Sequence, residues 1–249
     1  MCGRYTITSA PEAIRALFRY EEEPQFPPRY NIAPTQPIPV VRLIDGRRHF
    51  ALVRWGLLPS WVKDPSGFSL LINARGESVC EKPAFRAAMK HRRCLIPTDG
   101  FYEWQAGARG KQPFYIRTKS GQPVAFAGLW ETWTGPNGEE VDTAAIVTTR
   151  ANRTLSHLHD RMPVVVPAEA FDLWLDCMNV DARTAEALIM PAPEDQFEFW
   201  PVSQLVNRTA NDGPKLLDRI VPSEAKPQAA PANPQRKRLK PDDGQGALF

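Results

Sequence analysis

The order of strand-like and helical segments is the feature of this 249-residue sequence that most limits its fold. PEAIRALFRY (11–20) has apolar residues at helical spacing, and PAFRAAMKHR, AEAFDLWLDCM and DARTAEALIM also favour helices. HFALVRWGLLP, RCLIPTDGFYEWQ, DTAAIVTTRAN and QFEFWPVS each favour a strand, and QPFYIRTKSGQPVAFAGLWETW favours two strands around a turn. Because helices and strands do not alternate regularly, the sequence predicts an α+β fold rather than a parallel α/β fold.

A change in composition near Val221 predicts where the folded part of the chain ends. The strand and helix patterns lie before it, and 43% of the chain is hydrophobic, which is enough for a sizeable core. From residue 222 onward proline, alanine and charged residues dominate, and core-forming residues are few. We therefore expect one compact domain over residues 1–221 and a disordered tail over residues 222–249.

Charge, cysteine and histidine content argue against several classes of protein. The net charge is only +3, so a nucleic-acid site would have to be a local patch. The four cysteines and four histidines show no metal-ligand spacing, which argues against a structural metal or a disulfide framework. No secretion signal and no apolar run of about 18 residues occurs. The sequence therefore predicts a cytoplasmic protein with no metal, no cofactor and no membrane partner.

The opening stretch MCGRYT places a cysteine directly after the initiator methionine. Removal of Met1 would leave Cys2 with a free α-amine of pKa ~7.7–8.0 beside a thiol of pKa ~8.5. An aldehyde that meets both groups can form an imine with the amine, and the thiol can then close a five-membered ring on the imine carbon. The alternative is that a cysteine at this position is incidental.

Three other segments carry polar residues in apolar or turn-like surroundings: LINARGES (71–78), PTDGFYEW (97–104) and HLHDRMPVVV (157–166). Each has a plain structural explanation when it is taken singly. Asn73 can cap a helix or a turn, Glu103 can face solvent from a strand, and His159 can form a surface ion pair.

Taken together, MCGRY, RYNIAP, WGLLPSW, NARGE, DGFYEW and HDRMP, in this order and at these spacings, resemble the SRAP family (SOS-response-associated peptidase), the abasic-site processing proteins. The resemblance covers about residues 2–220. It implies an α+β domain with a barrel-like core of strands and a positively charged cleft for single-stranded DNA. It also implies that the mature N-terminal Cys2 bonds covalently to the open-ring aldehyde of an abasic site, with Asn73, Glu103 and His159 completing the active site.

The chemistry of an abasic sugar suggests a task for each of these residues. His159 suits the proton transfer that opens the sugar ring near neutral pH, and Glu103 can accept and return protons during imine formation. The neighbours Tyr102 and Trp104 offer apolar surface, which would raise the pKa of the Glu103 carboxyl in a closed site. Asn73 can donate and accept hydrogen bonds, and would hold the amine or the sugar.

Residues in or beside the motifs are candidates for contacts with DNA. Trp61, on a loop with proline and glycine, would stack on a base or wedge into the strand, unless it packs under its own loop. Thr149 ends a predicted strand and could donate to a phosphate. Four arginines are predicted to bind phosphates: Arg4, Arg75, Arg86 and Arg161.

The chain ends in DDGQGALF, in which Gln245, Leu248 and Phe249 resemble the pattern that docks bacterial replication and repair proteins into a sliding clamp. The alternative is an inert tail, since Gly246 stands where that pattern usually has leucine. We therefore predict a monomer whose main partner is single-stranded DNA with abasic sites, and whose second partner is a sliding clamp.

Two other functions fit the same residues. Cys2 as nucleophile with His159 as base would make a thiol peptidase, and the cleft alone would make a non-catalytic reader of single-stranded DNA. A cysteine beside a glutamate and a histidine could also cut the Met1–Cys2 bond. An aminopeptidase could remove Met1 as well, and the sequence leaves both routes open.

Overall fold

The computed structural model describes residues 2–107 and 110–221. Its strands are β1 (Tyr5–Ile7), β2 (Arg29–Ile32), β3 (Pro37–Ile44), β4 (Arg47–Trp55), β5 (Asn73–Arg75), β6 (Arg93–Thr98), β7 (Gly100–Gly107), β8 (Gly110–Thr118), β9 (Val124–Thr134), β10 (Glu140–Arg150), β11 (Arg161–Pro163), β12 (Val165–Val166) and β13 (Phe197–Pro201). Its α-helices are α1 (Pro11–Phe18), α2 (Arg86–His91), α3 (Arg153–Ser156), α4 (Phe171–Leu175) and α5 (Ala182–Glu186). Short 3₁₀ helices span Gly76–Ser78, Ala168–Ala170, Gln204–Asn207 and Pro214–Leu217.

Five strands close into a barrel at the centre of the fold. Antiparallel pairing links β4 to β3, β3 to β6, β6 to β9 and β9 to β10. A short parallel pairing of β10 with β4, in which Thr143 lies opposite Arg54, completes the ring. Closure pairs the strands of the ring on both sides, and β6 is buried along its whole length. The predicted α+β class with a barrel-like core is confirmed.

A second sheet, in the order β13–β8–β7–β1–β2, packs against the barrel. The ring of Phe101 in β7 meets Phe126 of β9 edge to face, with ring centroids 5.6 Å apart. On its other side it meets Phe197 of β13 at 5.9 Å in the same geometry. The contact with Phe126 holds the strand that carries Glu103 against the barrel, and the contact with Phe197 joins two strands of the second sheet.

The segment RCLIPTDGFYEWQ, predicted as one strand, is divided between the two sheets as β6 and β7. At the division, the Asp99 carboxylate accepts hydrogen bonds from the backbone N–H groups of Thr8 and Ser9 at 2.6 and 2.9 Å. A Cβ atom on the next residue, Gly100, would lie 2.4 Å from the Tyr115 hydroxyl. The chain therefore leaves the barrel at Asp99, which binds the residues that follow β1, and at Gly100, where a side chain would collide with Tyr115.

Helix α1 closely follows the predicted helical segment over residues 11–20. Pro11 occupies its first turn, where a missing N–H costs no hydrogen bond, and Arg19 ends the helix in a left-handed conformation with φ 55°. Ile14 and Phe18, one turn apart, form the buried face. The Phe18 ring stacks on Phe171 of α4 at 5.2 Å, so the two helices cover the same part of the core.

A buried arginine fastens the peripheral helices to the barrel. Arg93, at the start of β6, is 1% exposed. Its guanidinium donates to four backbone carbonyl oxygens: Trp174 at 2.6 Å, Val180 at 2.7 Å, Met89 at 2.9 Å and Asp176 at 3.0 Å. Because carbonyls near the C-terminal ends of helices lack partners within the helix, one side chain satisfies the ends of both α2 and α4.

The last described segment returns to the N-terminal strands. Asn31 in β2 is buried, and its side-chain amide donates to the carbonyl oxygens of Val206, Arg208 and Asn211 at 3.1, 3.1 and 2.8 Å. The Arg4 guanidinium donates to Asn31 Oδ1 at 2.8 Å and to the Val206 carbonyl oxygen at 2.6 Å. Residues near both ends of the described chain are therefore tied together beside β1.

Two further predictions concern membrane-spanning helices and the C-terminal tail. Of the helices in residues 2–107 and 110–221, none has the length and apolar character needed to cross a bilayer. The predicted tail over residues 222–249, with the clamp-like residues Gln245, Leu248 and Phe249, lies outside the described residues. The domain boundary near Val221 stays a prediction.

Replacing Arg93 by methionine should lower the free energy of unfolding by at least about 3 kcal/mol, because four buried or partly buried carbonyl oxygens lose their donor. Urea unfolding followed by tryptophan fluorescence measures the change. Arg183→Met is the matched control, since Arg183 pairs with Glu186 on the surface at 2.9 Å and should change stability by no more than about 0.5 kcal/mol. Equal effects of the two substitutions would contradict the role assigned to Arg93.

Candidate active site

The four predicted catalytic residues come from four segments that meet beside β1 and β10. Cys2 precedes β1, Asn73 begins β5, Glu103 lies in β7, and His159 comes just before β11. β1 pairs with β7, while β5 and β11 both pair with β10. Asn73 bonds to Cys2, and the charge of Glu103 interacts with both Cys2 and His159. The structure therefore brings all four side chains together.

Asn73 fixes the backbone of Cys2. Its Nδ2 donates to the Cys2 carbonyl oxygen at 2.9 Å. Its Oδ1 is buried and has no hydrogen-bond partner among the described residues, so it can accept a bond from an amine or a sugar hydroxyl. β5 is itself fixed, because Asn73 lies opposite Ile146 of β10 and the Trp55 indole donates to the Ile72 carbonyl oxygen at 3.0 Å.

Glu103 places a carboxyl group in a nearly closed environment. It is 4% exposed and lies in β7, opposite Phe114 of β8. Burial raises the pKa of its carboxyl above the ordinary value, although the nearby charge of His159 acts in the opposite direction. A carboxyl whose pKa is raised can both accept and return a proton at a lower free-energy cost near neutral pH.

The rings beside Glu103 in the sequence are not what buries it. Tyr102 and Trp104 pack with Tyr115 in a separate apolar cluster. Neighbouring residues in a strand point to opposite faces of the sheet, so the Glu103 side chain lies on the other face. That face is turned toward Cys2, whose pKa responds to the charge of Glu103. The expected rise in pKa is present, but its expected source is wrong.

The Cys2 thiol is fully buried and protonated at neutral pH. Burial raises the pKa of the thiol far above its ordinary value, and the negative charge of Glu103 raises it further. The Sγ atom donates a weak hydrogen bond to the Arg4 carbonyl oxygen at 3.8 Å. Such a thiol becomes a good nucleophile only when a neighbouring group takes its proton.

His159 has two polar neighbours at one ring nitrogen. Its Nδ1 lies 2.9 Å from the backbone nitrogen of Arg161 and 2.7 Å from the Asp160 carboxylate. These neighbours need different protonation states, because the neutral ring accepts from the Arg161 N–H whereas the imidazolium donates to Asp160. The Asp160 side chain is 85% exposed, while the Arg161 N–H is fixed in β11, so the neutral ring accepts this backbone bond at Nδ1. In that tautomer the proton resides on Nε2.

Arg161 is held by an ion pair. Its side chain is 11% exposed, and its two terminal nitrogens donate to the two carboxylate oxygens of Glu77 at 2.6 and 2.9 Å. It also donates to the Thr148 carbonyl oxygen at 2.7 Å and to Thr148 Oγ1 at 3.1 Å. The predicted contact of Arg161 with a DNA phosphate stays a prediction, and Glu77 would compete with that phosphate.

The other polar residues predicted to contact DNA lie at different depths. Arg75 and Arg86 are exposed, whereas Thr149 is buried within β10. Arg4 is half-buried, and its guanidinium is occupied by the bonds to Asn31 and the C-terminal segment. Arg4 therefore anchors that segment beside β1. The roles of all four residues in binding phosphates stay predictions.

Trp61 stands on the surface of the loop between β4 and β5. It is 59% exposed, and its ring meets Phe68 edge to face at 5.9 Å. It does not pack under its own loop, so the ring is open for stacking on a base. A cavity of about 510 Å³ lies beside the same loop, lined by Phe68, Trp133 and Arg54 among others. Its lining does not include Cys2.

Two partners of the predicted residues were missed in the sequence, although both lie inside the motifs. Glu77 belongs to LINARGES, and Asn31 belongs to RYNIAP. Each binds an arginine of another motif, Glu77 to Arg161 and Asn31 to Arg4. A buried arginine needs acceptors, which is a signal that such a partner exists, but spacing along the chain does not identify it.

Possible metal ligands and the cysteine thiols were predicted to form neither a metal site nor a disulfide framework. Within residues 2–107 and 110–221, no group of three or more His, Cys, Asp or Glu side chains is placed to hold a metal ion. The four cysteines, Cys2, Cys80, Cys94 and Cys177, are free thiols.

Replacing Glu103 by glutamine should raise the free energy of unfolding at pH 7, because a neutral amide takes the place of a buried carboxylate. The raised pKa means that the folded state binds more protons than the unfolded state between the ordinary carboxyl pKa, ~4.3, and the raised one. The contribution of Glu103 to stability therefore falls as pH rises through that window. The glutamine variant does not lose stability in this window, so it should be more stable than the unsubstituted protein at pH 7 and no more stable below pH ~4.

Urea unfolding of both proteins at a series of pH values measures this difference. Glu198→Gln is the control, since Glu198 pairs with Arg117 at the surface at 2.8 Å. A Glu103→Gln variant that is less stable than the unsubstituted protein at pH 7 would show that burial does not dominate the environment of this carboxyl.

The chain is similar to known proteins over most of its length. The sequence model of the family described as SOS response associated peptidase (SRAP) matches residues 1–209. The chain is 38% identical over 222 residues to the abasic site processing protein YoqW of Bacillus subtilis (strain 168), covering 88% of this chain and 99% of that protein. It is 33% identical over 283 residues to the abasic site processing protein HMCES of Mus musculus, covering 91% and 79%.

Solved structures have the same fold. A protein of Bacteroides thetaiotaomicron matches with a TM-score of 0.79 at 22% identity, covering 88% of this chain and 100% of that chain. A phage-related protein of Bordetella bronchiseptica matches with a TM-score of 0.65 at 34% identity, covering 82% and 95%. With the match to the family over residues 1–209, these likenesses lead to one conclusion: the chain belongs to the SRAP family.

Proposed function

We propose that this protein senses abasic sites in single-stranded DNA and forms a covalent crosslink with them through Cys2. The observation that carries the proposal is the 2.9 Å hydrogen bond from Asn73 to the Cys2 carbonyl oxygen, next to the buried Glu103. It fixes the backbone of Cys2 where a carboxyl and an imidazole can exchange protons. The names of the relatives, abasic site processing proteins, support the same substrate.

The reaction begins with the closed hemiacetal of the abasic sugar. Opening the ring moves a proton from the C1′ hydroxyl to the ring oxygen and leaves an aldehyde at C1′. The His159 imidazolium, whose Nδ1–H donates to Asp160, gives its Nε2 proton to the ring oxygen and becomes neutral, while the Glu103 carboxylate accepts the hydroxyl proton. Proton return from Glu103 to His159 restores both groups.

The α-amine of Cys2, exposed by loss of Met1, then attacks C1′. The carbinolamine that forms loses water and becomes a Schiff base, with Glu103 accepting the amine proton and giving it to the departing hydroxyl. Asn73 Oδ1 accepts a hydrogen bond from the amine and orients its lone pair toward C1′. Finally the thiol adds across the imine, so that a sulfur–carbon bond forms and the thiol proton moves to nitrogen. The product is a thiazolidine, with no change in oxidation state.

The state of the Cys2 thiol supports this order of steps. Burial and the charge of Glu103 keep the thiol protonated, so the amine is the better first nucleophile. A thiol peptidase would need a thiolate at the start, which this environment disfavours. Closing the ring also removes the imine, which would otherwise permit β-elimination and strand cleavage. The crosslink therefore shields the site during repair.

Recognition of the strand would combine stacking with charge. Trp61 and Phe68 offer rings to the bases, and the exposed Arg75 and Arg86 bind phosphates from the solvent side. Thr149 would donate to a phosphate at the end of β10. The protein would act as a monomer in the cytoplasm, on DNA of the nucleoid, with Met1 removed either by its own active site or by an aminopeptidase.

Crosslinking can be tested with single-stranded DNA that contains one uracil and has been treated with uracil glycosylase. Denaturing electrophoresis should show a heat-stable, protein-sized shift that needs no added metal or cofactor. Cys2→Ser should give no stable shift, because serine keeps the amine but cannot close a thiazolidine. Cys80→Ser, which changes a partly buried free thiol outside the candidate site, should crosslink normally.

Blocking the amine gives a second arm of the same test. A variant with residues appended before Cys2 that cannot be removed should form no crosslink, and its normal reaction would refute attack by the amine. Equal affinity for intact and abasic strands with no covalent product would instead identify a non-catalytic reader of single-stranded DNA.

A sliding clamp as second partner is proposed from the sequence of the tail alone. A peptide of residues 240–249 should bind a bacterial clamp with a Kd on the order of 1 μM, about −8 kcal/mol. Replacing Leu248 and Phe249 together by alanine should abolish binding, because these side chains would fill the apolar pocket of the clamp. Equal clamp binding by the altered peptide would contradict the proposal.

A further inference from the structure

Three arginines near the active site lie on one face of the strands that surround β10. Thr148 and Arg150 are alternate residues of β10, so their side chains point the same way. Arg75 of β5 lies opposite Thr148, and Arg161 of β11 lies opposite Arg150. Because cross-strand partners share a face, Arg75, Arg150 and Arg161 form a row of positive charge, here called the arginine row.

Glu77 lies against this row and is held there by the packing of its own turn. A Cβ atom on the preceding residue, Gly76, would lie 2.2 Å from the Ile189 side chain and 3.2 Å from the Thr148 carbonyl oxygen. The turn therefore approaches β10 as closely as the backbone allows. The Glu77 carboxylate meets the Arg161 guanidinium through two hydrogen bonds, at 2.6 and 2.9 Å.

The charges of the arginine row are only partly balanced. Arg75 and Arg150 are exposed, and within the described part of the chain their side chains make no hydrogen bond or ion pair. Hydrogen bonds from Arg161, together with its charge and that of Arg150, lower the pKa of the Glu77 carboxyl, so Glu77 is ionised at neutral pH. Three positive charges thus face one negative charge beside the strand that carries Asn73.

A carboxylate bound through two parallel hydrogen bonds uses the same guanidinium geometry that binds a phosphate. The negative charge of Glu77 also repels any phosphate that approaches Arg150 or Arg75. A DNA strand that passes the active site therefore meets the arginine row with one of its best phosphate donors already occupied.

We propose that Glu77 takes the place of a DNA phosphate on Arg161 and thereby limits the affinity of the protein for intact single-stranded DNA. The inference rests on the proposed function. A protein that retains damaged strands by a covalent bond gains nothing from tight binding to undamaged ones, because tight binding would hold it away from abasic sites. Glu77 keeps that binding weak while the arginine row still attracts the strand.

Glu77→Gln tests the proposal, since glutamine is similar in shape and removes only the charge. Fluorescence anisotropy with an intact, labelled single strand, measured over a range of NaCl concentrations, gives affinity and salt dependence. Freeing Arg161 for one more phosphate should make the slope of log K against log[salt] more negative by about 0.7. If the two proteins bind equally at 1 M salt, this difference in slope makes the variant bind about fourfold more tightly at 0.15 M salt.

Three further proteins complete the experiment. Glu77→Asp keeps the negative charge and should not tighten binding. Glu198→Gln removes a surface glutamate that pairs with Arg117 far along the second sheet, and it should leave both values unchanged. Glu77→Ser is a smaller neutral replacement, and it gives the same two readouts if the glutamine variant does not fold.

Crosslinking in the presence of excess intact strand gives an independent readout. The competitor should slow the reaction of Glu77→Gln with an abasic strand more than it slows the unsubstituted protein. Unchanged or weaker binding by both neutral variants, with an unchanged salt slope, would overturn the inference while the unsubstituted protein still crosslinks. A protein that neither binds intact strands nor crosslinks abasic ones would overturn the proposed function as well.

Discussion

The hydrogen bond between Asn73 and the Cys2 carbonyl oxygen is the interaction on which the candidate active site depends. Residues close to the start of a chain are ordinarily among the least ordered parts of a domain. Here β1 holds the residues that follow, and Asn73 holds Cys2 itself from the edge of β10. The order imposed on Cys2 is thus supplied by two sheets at once.

Two glutamates near this bond have opposite surroundings and therefore opposite properties. Burial raises the pKa of the Glu103 carboxyl, whereas the hydrogen bonds from Arg161 lower the pKa of the Glu77 carboxyl. The first is suited to exchanging protons, and the second keeps a permanent charge. One fold uses the same chemical group for both purposes by changing only its degree of burial and its partner.

The sequence predicts the class of fold and the residues of the candidate site better than it predicts the contacts between residues that are distant in sequence. Helix α1 and the long strands follow from periodicity, and the family motifs identify Cys2, Asn73, Glu103 and His159 as a group. The division of one predicted strand at Asp99 was missed, because it depends on the N–H groups of Thr8 and Ser9. Likewise, the sequence suggested that the neighbouring Tyr102 and Trp104 bury Glu103, but in the fold these two rings pack in a separate cluster.

The bonds that Arg4 and Asn31 make to the C-terminal segment have a consequence for how the protein is made. They join residues separated by as many as 203 positions, so they form only after nearly the whole domain has left the ribosome. The strand that follows Cys2 is secured by these late contacts. A nascent chain therefore carries Cys2 without the residues that surround it in the folded domain, and the candidate active site is assembled only when synthesis of the domain is complete.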